Sequence, residues 1–171
     1  MEIYRGKRLS VEKREIRLPD GRTKEKVIVI PGDAVAMLPL DGDDCLLIRQ
    51  YRFAIGKYLF EAPAGTMEPG ETPLETARRE LIEETGYTGG TFIPRGTIFT
   101  TPGFTTERLH LFEVRDLTPS GDGEKDEDEI IEVVRIPKGE VEAMAADGRI
   151  CDAKTICLVY RCLDEGGRPP V

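Results

Sequence analysis

Gly65-Thr66-Met67-Glu68-Pro69-Gly70-Glu71-Thr72-Pro73-Leu74-Glu75-Thr76-Ala77-Arg78-Arg79-Glu80-Leu81-Ile82-Glu83-Glu84-Thr85-Gly86-Tyr87 passes from a turn, through a helix, to a stop signal. Pro69-Gly70 is a turn dipeptide, Thr72 suits an N-cap, Pro73 fits the first helical position, and Glu75 completes a capping box with Thr72. Leu74, Ala77 and Leu81 recur at helical spacing, and Gly86 ends the run as a C′ residue would. Glu80 and Glu84 stand four apart and Glu83 three from Glu80, so three carboxylates share one helix face. Two carboxylates about 4 Å apart repel by roughly 4 kcal/mol at an effective dielectric of about 20, so such a face calls for a cation. Oxygen donors without Cys or His select a hard ion, Mg²⁺ with Mn²⁺ as a substitute. On helix spacing alone the more ordinary reading is a solvated acidic face with Arg79 paired to Glu83.

Outward from this helix the pattern alternates between strands and helices. Val27–Ile30, Ala34–Leu40 and Cys45–Arg52 are short apolar runs parted by Pro31-Gly32 and by Asp41-Gly42-Asp43-Asp44, so Leu40 and Cys45 flank a hairpin. Tyr58–Ala62 reads as a further strand that runs into a loop at Pro63-Ala64-Gly65. Gly96–Thr100, Leu109–Arg115 and Ile130–Ile136 read as strands, with residues 120–129 a mobile acidic loop between the last two. Lys138–Ala146 and Ala153–Leu163 read as helices; Asp152 caps the second, with Ile156, Val159, Tyr160 and Leu163 on one face. This mixture predicts a layered α/β domain.

The 171 residues suit one domain, 1–171, large enough to bury about 70% of the surface its unfolded chain exposes. The 24 Lys and Arg against 32 Asp and Glu give a formal net charge of −8, which speaks against nucleic acid or an anionic membrane as partner. An anionic substrate would then need a cation beyond the chain's average. No apolar run is long enough to cross a bilayer and no secretory signal opens the chain, so a cytoplasmic protein is expected. Cys45, Cys151, Cys157 and Cys162 have no metal-ligand spacing and read as buried, reduced thiols.

The frame Gly65-x5-Glu71-x7-Arg79-Glu80-Leu81-x-Glu83-Glu84-x-Gly86-Tyr87 resembles the Nudix box at every defining position, residues 65–87. The resemblance implies the Nudix α/β/α sandwich, a mixed sheet between helices. It also implies that Glu80, Glu83 and Glu84 hold the metal with the carbonyl of Ala64, and that Glu71 is a buried partner orienting Arg79. Such proteins hydrolyse a nucleoside diphosphate linked to another group. Metal-held water and a neutralised diphosphate are the physical basis of that chemistry.

Three further stretches, Arg49–Phe53, Leu59–Gly65 and Thr101–Arg108, resemble the ADP-ribose pyrophosphatase branch, and GDP-mannose pyrophosphatases share much of that frame. By this resemblance Arg52, Arg79, Pro102 and Gly103 belong to the substrate side; a guanidinium such as that of Arg52 offers a rigid fork to phosphate or ribose oxygens, and its ordinary alternative is a surface ion pair. Glu107 resembles a residue near the catalytic water, with a strand-edge carboxylate as the alternative. The general base is expected from the acidic loop, at Glu129 ahead of Glu127. Tyr4, Tyr51, Phe53, Tyr58 and Phe104 are the rings available to stack on a base. The N-terminal segment, residues 1–30, which alternates charged and apolar residues, is expected to supply strands that help form a homodimer with a shared site. The expected reaction is hydrolysis of ADP-ribose to AMP and ribose 5-phosphate; the alternatives are GDP-mannose hydrolysis, a nucleotide-sensing module without catalysis, and nucleic-acid decapping, against which the acidic balance speaks.

Overall fold

The computed structural model describes residues 1–120 and 131–163. Among these the elements run β1 (Glu2–Arg5), β2 (Leu9–Arg17), β3 (Thr23–Pro31), β4 (Ala34–Asp41), β5 (Asp44–Arg52), β6 (Lys57–Glu61), β7 (Ala64–Thr66), α1 (Pro73–Thr85), β8 (Tyr87–Phe99), β9 (Arg108–Pro119), β10 (Ile131–Pro137), α2 (Lys138–Asp147) and α3 (Ala153–Cys162).

β4 is apolar on both faces because a helical layer covers each. Val35 and Met37 pack with Phe112, Val114 and, from α1, Ala77 and Leu81. Ala36, Leu38 and Leu40 pack on the other side with Leu109, Leu111 and residues of α2 and α3, among them Val141, Met144 and Leu158. Burying each such aliphatic side chain contributes roughly 1.5–3 kcal/mol. The mixed sheet between helices is the fold the box implied. Its main path is β10-β5-β4-β9-β8, with β4 and β9 parallel, β6 on β5, and β7 on β4.

One detail of register creates the site. β4 and β5 pair only next to their hairpin, at Leu40↔Cys45 and Asp41↔Asp44. Beyond it β4 pairs with β7 and β5 with β6, so the two strands part and leave a wedge. The chain crosses that wedge between Glu61, opposite Ile48 of β5, and Ala64, opposite Ala36 of β4.

Several expectations change. The segment read as a loop at residues 63–65 includes β7, a three-residue strand ending at Thr66. β8 begins at Tyr87 rather than Gly96, because Gly89-Gly90, a turn pair by composition, lies within a strand: Gly90 adopts φ +78° and a Cβ there would strike the backbone of Arg115. The N-terminal strands expected within residues 1–30 are β1, β2 and β3, which form a separate antiparallel sheet. Their charged residues interleave with apolar ones without a buried face. In α3 the inward stripe is Thr155, Leu158 and Val159, whereas Ile156 and Tyr160 are exposed. Of the cysteines, all free thiols, Cys45 is buried, Cys157 and Cys162 are half-buried, and Cys151 is exposed. No helix among the described residues is long and apolar enough to cross a membrane.

Candidate active site

The helix that carries the carboxylates starts as its sequence demands. Thr72 Oγ1 accepts from the Glu75 N–H, Glu75 accepts from the Thr72 N–H at 2.8 Å, and Gly86 closes the helix in the left-handed region at φ 73°. This phasing turns Ala77 and Leu81 into the core and brings Glu80 and Glu84 with them, at 9% and 7% exposure. Glu83 stands at the rim, its side chain 45% exposed, so the three carboxylates do not share one environment.

The wedge crossing sits directly on this face. The Ala64 N–H donates to Glu84 Oε2 at 2.8 Å, and a Cβ on Gly65 would overlap the Glu80 carboxylate. The glycine is required here by close approach: the box glutamates lie in a cradle that any larger residue at 65 would fill.

The cation nearest these groups is a guanidinium. Arg79 donates to Glu71 from Nε at 2.9 Å and Nη2 at 3.0 Å, to Glu80 and Glu83 from Nη1 at 2.7 and 3.0 Å, and to the Thr66 carbonyl at 3.2 Å. All three guanidinium nitrogens of Arg79 are engaged inside the box, where they order the carboxylates. Glu71 is half-buried rather than buried. The Arg79 guanidinium, then the Glu68 N–H and the Thr76 hydroxyl, hold its carboxyl down to about 2. Among the described residues no group of three or more His, Cys, Asp or Glu is already gathered so as to hold a metal.

The donor set still fits a hard cation. Glu80 and Glu84 offer carboxylate oxygen only, no thiol or imidazole intrudes, and the Cβ-free surface at Gly65 leaves both carboxylates beside the 64–65 backbone. Glu83 reaches the same edge through Arg79.

On the other side of the crossing stand residues that the sequence reading left without a role. Glu61 is 1% exposed and accepts a bidentate fork from Arg52, Nε at 2.7 Å and Nη2 at 2.6 Å. Lys154 of α3 also donates to Glu61, and pairs with Asp152 at 3.1 Å. Burial pushes the Glu61 carboxyl up, and Arg52 and Lys154 outweigh it, so it is held below the ordinary value. The Arg52 guanidinium is held above its usual value, first by its hydrogen bonds to Glu61, then by the charges of Glu61, Asp152 and Glu84, against the opposing effect of burial. The partner of Arg52 is therefore a core carboxylate rather than a surface one. The Ala62 N–H donates to Thr155 Oγ1 at 2.7 Å, while Thr155 donates to Asp152 at 2.6 Å. Residues 61–64 are thus gripped from α3 on one side and α1 on the other. The signal for this was the pair Lys154-Thr155 just after the Asp152 cap.

The loop before β9 lies at the same end of β4, since Ala34 is opposite both Thr66 and Leu109. Pro102 and Gly103 form its exposed turn, and Glu107 is half-buried, accepting from Thr100 Oγ1 at 2.5 Å. The loop is tied to the N-terminal sheet: the Val29 N–H donates to the Phe104 carbonyl at 2.8 Å and the Thr106 N–H to the Val29 carbonyl at 3.1 Å. Of the rings, Tyr51 and Tyr58 make an edge contact at 5.1 Å with Arg49 over Tyr58 at 4.3 Å, while Phe53, at 89% exposure, stands in solvent. Glu127 and Glu129 lie outside the described residues.

The NUDIX domain profile matches residues 30–159, and the chain belongs to the Nudix family. The ADP-ribose pyrophosphatase of Bacillus subtilis (strain 168) is 34% identical over 156 residues, 90% of this chain and 84% of that protein. The GDP-mannose pyrophosphatase of Pectobacterium atrosepticum is 40% identical over 133 residues, 71% of this chain and 66% of that one. A solved structure titled as that of an ADP compounds hydrolase superposes with a TM-score of 0.84 at 23% identity, covering 96% of this chain and 89% of that chain, a likeness of fold.

Proposed function

We propose that the protein is a divalent-metal-dependent pyrophosphatase of nucleoside diphosphate sugars, with ADP-ribose as its preferred substrate, cleaved to AMP and ribose 5-phosphate. The observation that carries this reading is the clamped crossing at residues 61–65, with the buried carboxylates of Glu80 and Glu84 on one side and Arg52, forked onto buried Glu61, on the other. An acidic protein gains by this arrangement a local place for a diphosphate.

Glu80, Glu83 and Glu84, with the Ala64 carbonyl, would hold Mg²⁺ or Mn²⁺. The ion, when bound, supplies charge neutralisation for the diphosphate and acidifies a coordinated water. The chain's own residues do the rest. Arg79 keeps Glu80 and Glu83 from spreading apart. Arg52, stiffened by Glu61, orients a diphosphate oxygen through its remaining Nη1, and Pro102 and Gly103 bound the sugar side. Glu129, or failing it Glu127 or Glu107, takes the proton as water oxygen bonds to phosphorus and the bridging P–O bond breaks.

Similarity along nine-tenths of the chain to an ADP-ribose pyrophosphatase favours ADP-ribose. Higher identity over a shorter stretch to a GDP-mannose pyrophosphatase supports GDP-mannose as the second reading. We further propose a homodimer in which the exposed Ile3, Tyr4 and Val27 of the N-terminal sheet are covered by a second copy. A panel of ADP-ribose, GDP-mannose, NADH and diadenosine polyphosphates, assayed with Mg²⁺, tests the substrate. ADP-ribose is expected to have the highest kcat/KM; preference for another member overturns that choice, and no hydrolysis of any of them overturns the enzymatic reading.

A further inference from the structure

We propose that Lys154 is a positioning residue for substrate binding: by holding Glu61 at Oε2, the oxygen that Arg52 Nη2 also meets, it keeps the Arg52 guanidinium fixed and the cluster from being net negative toward an incoming diphosphate. The inference rests on the functional reading above and deepens it, by assigning a cation of the α3 layer to the substrate site.

The charge balance motivates it. Arg52 and Glu61 alone would cancel, since the fork is bidentate and Glu61 is 1% exposed. Asp152, which pairs with Lys154 at 3.1 Å, adds a second carboxylate, and a net negative cluster would repel a dianion. Lys154 brings the Arg52–Glu61–Asp152 group from a net charge of one negative to neutral. The Lys154 side chain is 14% exposed, so its charge is held against the site rather than dispersed in solvent. Asp152, its other partner, also accepts from the Thr155 N–H at 3.0 Å and from the Thr155 hydroxyl, and so is shared with the helix cap.

Geometry gives the second half. With Nε and Nη2 of Arg52 bound to Glu61, Nη1 has no protein acceptor among the described residues. A carboxylate gripped only by Arg52 could swing with it. Gripped also by Lys154, which the capped start of α3 fixes, it becomes a rigid post for the guanidinium. Lys154 makes this contact one residue before Thr155 takes the Ala62 N–H, so the helix start sets arginine and backbone together. The sequence reading treated this helix start only as a cap.

The test uses full-length protein and three variants. Lys154→Met removes the charge and keeps the length; Lys154→Arg keeps the charge; Lys138→Met removes a lysine at the opposite end of β5, where its Nζ donates to the Gly42 carbonyl. Steady-state hydrolysis of ADP-ribose is measured alongside calorimetric binding of ADP-ribose in EDTA, and each variant is melted. Lys154→Met is expected to raise KM and the metal-free Kd about tenfold, the loss of one charge interaction, with kcat within about threefold. Lys154→Arg should recover most of that loss, and Lys138→Met should leave both constants unchanged. Unchanged KM and Kd in Lys154→Met would overturn the inference while leaving the functional reading intact. So would an equal fall in kcat and melting temperature that Lys154→Arg does not rescue, because that marks a purely structural lysine. Wild-type protein that neither binds nor hydrolyses any member of the substrate panel would overturn the functional reading and this inference with it.

Discussion

Substituting Gly65 by alanine separates the cradle from the fold. Gly65 is not in the left-handed region, so the backbone conformation suits a side chain, and the three nearest atoms a Cβ would overlap all belong to the Glu80 carboxylate. These are the far end of a flexible side chain, which can turn away. Turning away forfeits the Arg79 Nη1 bond at 2.7 Å, a charge-assisted bond of the kind that contributes about 1.5–3 kcal/mol. The loss is softened because Arg79 keeps Glu71 and Glu83, and replacing a glycine returns about 0.4–1 kcal/mol through the unfolded chain. The net cost is therefore about 1 kcal/mol, a fall in Tm of about 2–4 °C for a chain of this size. Activity should fall far more, about a hundredfold in kcat, because the displaced carboxylate is one proposed to hold the ion. The assay is a thermal melt by circular dichroism beside phosphate release from the products with alkaline phosphatase. A kcat within threefold of wild type would refute the cradle, and a Tm loss above about 10 °C would mean that backbone, not carboxylate, gives way.

Two more outcomes follow from the same site. Glu71 has its carboxyl held down to about 2 from an ordinary 4.5, so its pairing stabilises the fold fully above the unfolded value and loses that effect as pH falls from about 5 toward 2. Glu71→Gln should lower the urea midpoint at pH 7 and converge on wild type near pH 2; a constant difference across that range would contradict the assignment. Glu129→Gln should reduce kcat by about 10²–10⁴-fold with metal affinity nearly unchanged, read by pre-steady-state turnover and calorimetry; near-normal turnover would shift the role of base to Glu127 or Glu107.

The box, its caps and the two-sided burial of β4 were legible because each depends on local spacing: Thr72 with Glu75, Gly86 after the last turn, an apolar run at residues 34–40. What was not legible depends on partners distant in sequence. Arg79 was expected with Glu71, and with Glu83 in the ordinary reading, and it meets both, yet its simultaneous hold on Glu80 and Thr66 required the wedge crossing to be in place. Glu61 reads as one more strand residue until Lys154, 93 positions away, is brought beside it. The α3 stripe holds at Val159 and Leu163, both buried, and fails at two positions for the same reason. Thr155 must face inward to meet the Ala62 N–H, which turns Ile156 and Tyr160 outward. The N-terminal strands were expected, but their pairing into a separate three-stranded sheet was not, because no buried face ties them to the core.

The central claim is that the carboxylates beneath residues 64–65 hold a divalent ion. Titration of the protein with Mn²⁺, followed by the loss of the free-ion paramagnetic resonance signal, addresses it directly. Saturable binding by the wild type, competed by Mg²⁺ and weakened at least tenfold by Glu84→Gln, is the expected result. Wild-type protein that binds no ion, or Glu84→Gln that binds as well as wild type, would contradict it.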